Sequence, residues 1–466
     1  MTKKLLSDID REFPDGIVLD GIDISLGIKT KILQFSNGQD FQNLDGVKKK
    51  EELNLVKKAL SYFLLPYCRY LFRANIGTCK VLFFTTGIEY IGQENAFFDP
   101  IKKLFGKKYD WVDVDISKPR ESAQGIGANK QKVTSFYFLF KILGYLYVDQ
   151  SSKYLSDKKI QKLFEIFTKN NFHDVGIVYS ALEDLYFIRH YSDYMDKILR
   201  KFAPEKIILV CYYGLMQSSL IAAAKKHKIP TIELQHSIMT ENYNYYNESL
   251  IYSDINIAPN YYWCWSKYYF EVMSKYRIYK NLLIGGNLWL QGLRKKAQVK
   301  NSPLRVLFCT STYDGSPSYL DWLGEILIEA IHGLESVDWV IRLHPSINPV
   351  LESEIRNYFS QLRNVNVIHA REISFYDHVQ TVDYHITYKS TTAIEAEYFG
   401  VQNIIVGDLQ ENYYRNDVED GRYLHASSSK ELVDILKSNI VTKINNNKYI
   451  DAINCVELLR AIKDIR

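Results

Sequence analysis

The sequence has 466 residues, of which 58 are Lys or Arg and 54 are Asp or Glu, so its formal net charge is only +4. This length exceeds what one hydrophobic core usually holds, and we therefore expect two domains. The small net charge disfavours a protein with a dedicated basic surface, so we predict no nucleic-acid partner.

The N-terminus and the cysteines indicate a cytoplasmic protein. The opening "MTKKLLSDIDREFPDG" turns polar before it forms the apolar core of a signal peptide. The most lipid-like segment, 133–148, is too short to span a bilayer and contains Lys141, so we expect a buried or interface helix there. The six cysteines include no CxxC pair, which predicts free thiols. Basic clusters at 102–111 and 294–300 leave open a peripheral contact with anionic lipids at the inner face of the cytoplasmic membrane.

The first half contains β-branched apolar runs separated by helical patterns, which is typical of a parallel sheet. We predict strands at "KVLFFTT" (80–86), "WVDVDI" (111–116), "KIILVCYY" (206–213) and "TIELQH" (231–236). The segment between the last two is rich in Ala, Leu and Lys and ends before Pro230, which predicts a helix and completes a β-α-β unit. We also predict a helix at 261–276 and a strand from 281 that runs into a Gly-rich turn.

Acidic residues follow the first of these strands in "GIEYIGQENAFFDP". Glu94 and Asp99 are candidates for a catalytic carboxylate base. The alternative is that they are ordinary solvated loop residues.

The polar stretch 294–303 indicates a linker, and a second series of strands and helices follows it. We predict strands at 305–312, 338–344, 365–369, 383–390 and 403–408, and helices at 319–334, 350–362 and 392–400. The expected domains are therefore 1–293 and 304–440, with a C-terminal helical segment at 441–466. The fold class is α/β, with two Rossmann-like domains facing a cleft.

Polar residues cluster where the strands of the second domain end, the edge at which open α/β sheets bind ligands. Hydroxyls, a guanidinium and an imidazole are groups that hold a phosphate. The candidates for binding a donor nucleotide are Ser311, Thr312, Arg342, His344, Ser390, Thr391, Thr392 and Glu395. Glu395 is a candidate for accepting ribose hydroxyls.

Other nucleotide chemistry lacks its usual motifs. The sequence has no GxxxxGK[ST] loop and no GxGxxG after a strand, so a sugar nucleotide is the favoured anion. No DxD motif follows a suitable strand, and we expect neither a metal nor a cofactor.

Simpler interpretations exist for each piece. "KSTTAIEAE" fits a helix N-cap in which Glu395 completes the cap without any ligand. His344 in "RLHP" fits a loop histidine before a proline. The joint occurrence of "RLHP" and "STTAIEAEYFG" on successive strand ends favours ligand binding.

The second half resembles the donor domain of GT-B glycosyltransferases, which implies that the domain 304–440 is on the nucleotide-donor side and 1–293 on the acceptor side. Its "HP" followed by a Ser/Thr pair resembles bacterial sialyltransferases, polysialyltransferases and CDP-glycerol transferases. This resemblance implies that His344, Ser390 and Thr391 contact the phosphate of a cytidine nucleotide, with Thr392 as a neighbour. The stretch from about Cys211 to Ile405 also resembles capsule and surface-polysaccharide transferases in which a strand ends "ELQHG". This chain has "ELQHS" and lacks the second histidine expected a few residues later.

His236 ends the last predicted strand of the β-α-β unit in the first domain. A neutral imidazole there could accept the proton of an acceptor hydroxyl or support the leaving phosphate. The alternative is a loop histidine that is bonded to the backbone.

These observations predict a glycosyltransferase that moves a sugar from a nucleotide donor onto a growing capsule or lipopolysaccharide glycan. The partners are then the donor and a glycan or lipid-linked glycan acceptor. The resemblance favours a CMP-activated sugar or a CDP-linked alcohol as donor, with a UDP-sugar as the closest competitor. Two other functions remain open: a non-hydrolysing UDP-sugar 2-epimerase and a non-catalytic scaffold in a polysaccharide assembly complex.

Overall fold

The computed structural model describes residues 2–36, 79–86, 90–91, 94–106, 109–116, 131–132, 151–239, 244–246, 249–252, 257–293, 295, 301–311, 319–345, 347–370, 372–410, 413–440, 442 and 448–465. The chain divides into two compact units. Unit 1 comprises Met1–Gly286 and Ile453–Arg466, and unit 2 comprises Asn287–Ala452.

Unit 1 is built on a seven-stranded sheet in which all neighbours are parallel. Its described strands are β1 (Val18–Leu19), β2 (Ile22–Asp23), β3 (Val81–Thr85), β4 (Tyr90–Ile91), β5 (Glu94–Asn95), β6 (Trp111–Asp115), β7 (Gln131–Lys132), β8 (Lys206–Leu209), β9 (Thr231–Leu234), β10 (Tyr261–Cys264) and β11 (Asn281–Ile284). The sheet order is β11-β10-β9-β8-β3-β6-β7, while β1 with β2 and β4 with β5 form small antiparallel pairs.

Helices cover this sheet and add an α-helical core near the N-terminus. The described helices before unit 2 are α1 (Thr2–Glu12), α2 (Ser25–Ser36), α3 (Phe98–Phe105), α4 (Lys158–Lys169), α5 (Gly176–Phe202), α6 (Leu215–Lys226) and α7 (Lys267–Ser274). Apolar residues spaced three or four apart on α1, α2, α4 and α5, such as Leu5 with Ile9 and Ile28 with Ile32, meet in one buried cluster. This packing holds α2 and α5 in place, and residues of both helices line a pocket in unit 1.

Unit 2 contains a six-stranded, all-parallel sheet. Its described strands are β12 (Leu304–Cys309), β13 (Val337–Leu343), β14 (Val365–His369), β15 (Tyr384–Thr387), β16 (Gln402–Val406) and β17 (Leu424–Ala426). Its described helices are α8 (Leu288–Gly292), α9 (Tyr319–Leu323), α10 (Glu325–Gly333), α11 (Pro349–Phe359), α12 (Phe375–Val379), α13 (Thr392–Tyr398), α14 (Arg415–Glu419) and α15 (Ser429–Ser438). The central strands read as nearly continuous buried runs, as expected when both faces of a sheet are covered.

The strand order of each sheet reverses once. In unit 2 the order is β14-β13-β12-β15-β16-β17, so the chain builds outward from β12 in one direction and then from β15 in the other. In unit 1 the same reversal falls between β3 and β8. Such a reversal opens a crevice outside the carboxyl ends of the two strands, where α/β proteins bind their ligands.

The predicted fold class, two Rossmann-like α/β domains, is confirmed, and two of the predicted elements are wrong. The segment 261–276 is not one helix: its buried aromatic start forms β10, and α7 begins only after Ser266, whose side chain accepts a hydrogen bond from the Tyr269 amide. The segment 319–334 is two helices because Gly324, at φ +85°, interrupts it. A Cβ at Gly324 would also collide with the hydroxyl of Tyr388.

The division of the chain falls at other residues than the expected linker. The helix α8 belongs to unit 2, where the Gln291 side chain donates to the carbonyl of Asp451 at 2.7 Å. The last helix, α16 (Cys455–Asp464), belongs to unit 1, where the buried Lys206 ammonium donates to the carbonyl of Ile462 at 2.7 Å. Most of the predicted linker 294–303, the predicted helix at 133–148 and Thr312 lie outside the described residues. Within the described part of the chain, no helix combines the length and apolar character needed to cross a bilayer.

Candidate functional site

Three of the predicted positions of unit 2 lie at one edge of its sheet. Ser311 follows β12, His344 follows β13, and Ser390 follows β15. Because β13, β12 and β15 are neighbours and parallel, their carboxyl ends meet at the same edge. This edge contains the reversal of strand order between β12 and β15.

Two buried threonines fix the loops that leave these strands. Thr310 accepts a hydrogen bond from the His344 amide at 2.9 Å. Thr387 donates to the carbonyl of Cys309 at 3.0 Å and accepts from the Ser390 amide at 3.3 Å. Neither threonine is singled out by the sequence, because Thr310 and Thr387 lie inside the predicted strands; in the structure Thr310 directly follows β12 and Thr387 ends β15.

The hydroxyl cluster lies at the start of α13. The helix begins at Thr392, which confirms the predicted start. Ser390 accepts a hydrogen bond from the Thr392 amide at 3.3 Å, and its carbonyl accepts from the hydroxyl of Tyr414 at 2.6 Å. Thr391 directly precedes the helix and makes no side-chain capping bond. Ser390 uses its oxygen as an acceptor, so its O–H can donate to an anion.

Glu395 does not complete a helix cap. Its carboxylate accepts a hydrogen bond from the hydroxyl of Tyr376 at 3.1 Å, on the neighbouring helix α12. Burial raises the pKa of Glu395 to about 7, against the lowering effects of Tyr376 and of the charge on Arg342. The helix-cap interpretation of Glu395 is therefore not supported by its contacts. Glu395 is instead an acidic group with a raised pKa that lies one turn from Thr391.

Arg342 is directed to the protein backbone. Its guanidinium donates to the carbonyl of Ile373 at 2.7 Å and to that of Ala370 at 2.9 Å, and only 8% of the residue is exposed. These bonds tie β13 to the loop that follows β14. In the structure Arg342 therefore positions the loop after β14. The sequence instead predicts that Arg342 binds the donor nucleotide beside His344.

His344 is half-buried, and burial followed by the proximity of His369 lowers its pKa. The imidazole is therefore neutral around pH 7 in the free protein. A bound phosphate would reverse this effect, because an anion favours the protonated imidazole.

In unit 1, His236 follows β9 and is coupled to a tyrosine. Its Nε2 atom lies 3.1 Å from the hydroxyl of Tyr213, and burial lowers the pKa of His236 to about 4. The ring of Tyr213 is stacked on that of Tyr245, with 3.8 Å between the centroids. Sequence reasoning found His236 but missed Tyr213, because tyrosine is abundant throughout the chain.

A buried carboxylate holds the turn that carries Tyr213. Glu233, in β9, is fully buried and accepts hydrogen bonds from the Tyr212 amide at 3.1 Å, from the hydroxyl of Tyr246 at 2.7 Å and from that of Tyr279. The same turn contains Cys211 in the left-handed region at φ +56°, an unfavourable conformation for this residue type. Burial raises the pKa of Glu233 to about 7, although these hydrogen bonds lower it.

The two acidic candidates of unit 1 are placed differently from His236. Glu94 is exposed in β5. Asp99 accepts from the Asn95 amide at 2.9 Å and pairs with Lys102 at 3.4 Å, so it stabilises the start of α3. Both lie in the segment after β3, and β8 separates β3 from β9 in the sheet. The contacts of Asp99 fit a structural role.

Comparison with known proteins identifies the fold but no family. No protein-family model matches the sequence, and no curated protein matches it either. A solved Listeria monocytogenes protein described as a UDP-N-acetylglucosamine 2-epimerase is 12% identical, with a TM-score of 0.52, covering 83% of this chain and 96% of that one. The S. aureus MnaA–UDP co-structure is 10% identical, with a TM-score of 0.50 and the same coverages. The glycosyltransferase of kitacinnamycin, 10% identical over 83% of this chain and 94% of that one, has a TM-score of 0.45, which is too low to argue from.

These similarities define the class of fold. The chain has a GT-B-like architecture of two Rossmann-like α/β domains. At 10–12% identity they show the fold alone.

We expect Glu233→Gln to change the pH dependence of stability. Between pH 4.5 and about 7 the folded protein retains a proton on Glu233 that the unfolded chain releases, so this group contributes stability that is lost as pH rises. The variant lacks this titration, and relative to it the wild type should lose about 3 kcal/mol of unfolding free energy across that window. Urea unfolding at pH 4.5, 6 and 8 measures the difference. Glu271→Gln, at an exposed position of α7, is the control and should follow the wild type.

Proposed function

We propose that the chain is an enzyme that acts on a nucleotide sugar, and that unit 2 binds the nucleotide phosphates through His344, Ser390 and Thr391. The observation that carries this proposal is the position of His344 and Ser390 at the ends of the two strands that flank β12, beside the reversal of strand order in unit 2. The imidazole and the hydroxyls lie on loops that are fixed by buried threonines. Such preorganised groups can stabilise the charge that develops on a leaving phosphate.

A uridine nucleotide is the favoured ligand. The two solved structures whose TM-scores of 0.50 and 0.52 are given above concern uridine nucleotides: the S. aureus protein holds UDP, and the L. monocytogenes protein is described as a UDP-sugar epimerase. The "HP" resemblance favours a cytidine nucleotide, but it rests on short motifs. The UDP-sugar alternative therefore has more support than the CMP-sugar expectation.

Glu395 is proposed to accept a hydrogen bond from a ribose hydroxyl. The carboxyl group lies one turn beyond Thr391 and already accepts from the hydroxyl of Tyr376. A carboxyl with a pKa of about 7 can exist in either protonation state when the nucleotide binds. Arg342 and the Tyr376 hydroxyl favour its ionised state, in which it accepts hydrogen bonds most strongly.

We favour a UDP-sugar glycosyltransferase whose acceptor is a glycan or a lipid-linked glycan. The second candidate function is that of a non-hydrolysing UDP-sugar 2-epimerase, which the similarity to the L. monocytogenes structure favours. Incubation of the protein with UDP-N-acetylglucosamine alone separates the two functions. Appearance of the 2-epimer without an acceptor would establish the epimerase, whereas sugar transfer only when a glycan is added supports the transferase.

A scaffold that has lost catalysis is the third candidate. It predicts neither turnover nor nucleotide affinity. The intact hydroxyl and imidazole groups at the sheet edge argue against it.

A cytoplasmic location with peripheral membrane contact stays a prediction of the sequence.

We expect His344→Ala to weaken binding of UDP by unit 2. Loss of a charge-assisted contact to phosphate costs about 1.5 to 3 kcal/mol, which raises the Kd about 10-fold to 150-fold. Calorimetry with UDP, CDP, CMP and GDP measures both the loss and the preferred base. His332→Ala is a matched control, because that exposed histidine ends α10, before β13, at the opposite edge of the sheet.

The pKa of His344 predicts how the affinity for UDP depends on pH. The pKa of His344 is lowered in the free protein and is expected to rise beside a phosphate, so binding takes up a proton. Affinity should therefore increase as pH falls through the raised pKa of the complex, and this slope should vanish in His344→Ala. An equal slope in both proteins, or equal affinity, would remove His344 from the phosphate site.

We expect His236→Ala to lower turnover by roughly 100-fold or more while nucleotide affinity stays nearly constant, because general acid–base assistance contributes 10² to 10⁴. Its low pKa keeps the imidazole neutral and able to accept a proton. Steady-state kinetics at saturating donor, with calorimetry of UDP, tests this expectation. Parallel loss of affinity and turnover would make His236 a binding residue, and no change in either would make it structural.

A further inference from the structure

We propose that a pocket in unit 1, bounded by α2, α5, α6 and the turn after β8, binds an uncharged sugar ring as the acceptor. This inference rests on the proposed transferase function and adds the location and chemical class of the acceptor. It concerns residues of unit 1 only. Its strongest support is the combination of an aromatic pair, a few fixed polar groups and a net charge that opposes anions.

The pocket has the position of a small-molecule site. It is open to solvent and its cavity volume is about 100 Å³, so it would enclose part of a sugar ring and leave the rest of a glycan outside. Tyr212 and Tyr213, which follow β8, form part of its lining. They bring the pocket to the carboxyl edge of the sheet, beside the reversal of strand order between β3 and β8.

The lining offers apolar surface to the C–H groups of a sugar. Leu26, Leu185 and Ile188 line the pocket together with the stacked rings of Tyr213 and Tyr245. Sugar rings present C–H groups on their faces and hydroxyls around their rim. A lining that combines apolar surface with a few placed polar groups matches this distribution.

Polar groups of the lining are held by one another. The Gln34 side chain donates to the hydroxyl of Tyr245 at 2.6 Å. The Lys31 ammonium pairs with Asp184 at 2.8 Å and donates to the hydroxyl of Ser180 at 2.9 Å. These bonds fix the directions in which an amide, an ammonium and a carboxylate can meet sugar hydroxyls. Preorganisation of this kind lowers the entropic cost of binding.

The charges of the lining select against an acidic sugar. Among the lining residues that the structure describes, Lys31 is the one cation, whereas Asp23 and Asp184 are both acidic. Asp23 is buried and accepts hydrogen bonds from the amides of Ile17 and Ser25, at 3.2 and 2.9 Å. The described lining therefore carries a formal net charge of −1, which opposes a sialic or uronic acid and admits a neutral hexose or N-acetylhexosamine.

Tyr213 connects this pocket with His236. It lines the pocket, and its hydroxyl lies 3.1 Å from the Nε2 atom of His236. A sugar hydroxyl that bonds to Tyr213 would therefore lie one hydrogen bond away from the imidazole. This geometry places the acceptor beside the residue proposed to assist its deprotonation.

Binding of simple sugars tests the inference apart from any donor. Saturation-transfer NMR and titration with methyl hexosides, methyl N-acetylhexosaminides and methyl glucuronide should show binding of the neutral sugars, at least 10-fold tighter than of the glucuronide. Lys31→Met and Tyr245→Phe should each raise the Kd for the neutral sugar at least fivefold without changing the Kd for UDP. Lys158→Met, at an exposed position of α4, is the control and should leave both constants unchanged.

The outcomes separate this inference from the proposed function. UDP binding without any neutral-sugar binding would overturn the pocket proposal and leave the nucleotide site standing. Preference for the glucuronide, or neutral-sugar binding that both pocket variants retain, would also overturn it. Sugar binding that both variants weaken, in a protein that does not bind UDP, would support the pocket and overturn the nucleotide proposal.

Discussion

The reversal of strand order in each parallel sheet is the constraint on which the candidate site depends. A parallel sheet brings the carboxyl ends of its strands to one edge, and the reversal leaves two neighbouring loops that depart in opposite directions. In unit 2 this places Ser311 and Ser390 at adjacent strand ends, with His344 on the next strand. In unit 1 the turn that carries Tyr213 follows one of the two strands at the reversal. Both assemblies arise from topology, and residues distant in sequence meet without any local motif.

Burial then sets the charge state of the histidines and glutamates near the carboxyl ends of the strands. In each unit a histidine and a glutamate lie at or near the carboxyl edge, and desolvation shifts their pKa values towards neutral forms. The pKa of His236 falls to about 4 and that of Glu233 rises to about 7. In unit 2 the pKa of His344 falls and that of Glu395 rises to about 7. An anionic ligand would draw protons to the neutral imidazoles, whereas the two glutamates, with pKa values of about 7, can take either protonation state.

The sequence predicted most of what depends on local pattern. Buried β-branched runs marked strands such as β14, which matches its predicted bounds, and the Ser/Thr cluster before Ala393 marked the start of α13. It could not show that "YYWC" is a strand, because a short aromatic run fits either element until its neighbours are known. It likewise could not show that Arg342 bonds to the carbonyls of Ala370 and Ile373, since that depends on where the next loop folds back.

Tyrosine shows most clearly where composition misleads. The chain contains 36 tyrosines, and such abundance gives no reason to single out any of them. The structure uses several as donors to buried or half-buried carboxylates that form no ion pair among the described residues: Tyr246 and Tyr279 to Glu233, and Tyr376 to Glu395. A phenol satisfies a buried carboxylate without bringing a second full charge into the interior, so it avoids part of the desolvation cost of an ion pair. Acidic groups with raised pKa values can thus remain near both sheet edges. The same abundance supplied the Tyr213–Tyr245 pair beside His236, so residues that are inconspicuous in the sequence surround the imidazole that we propose as the base.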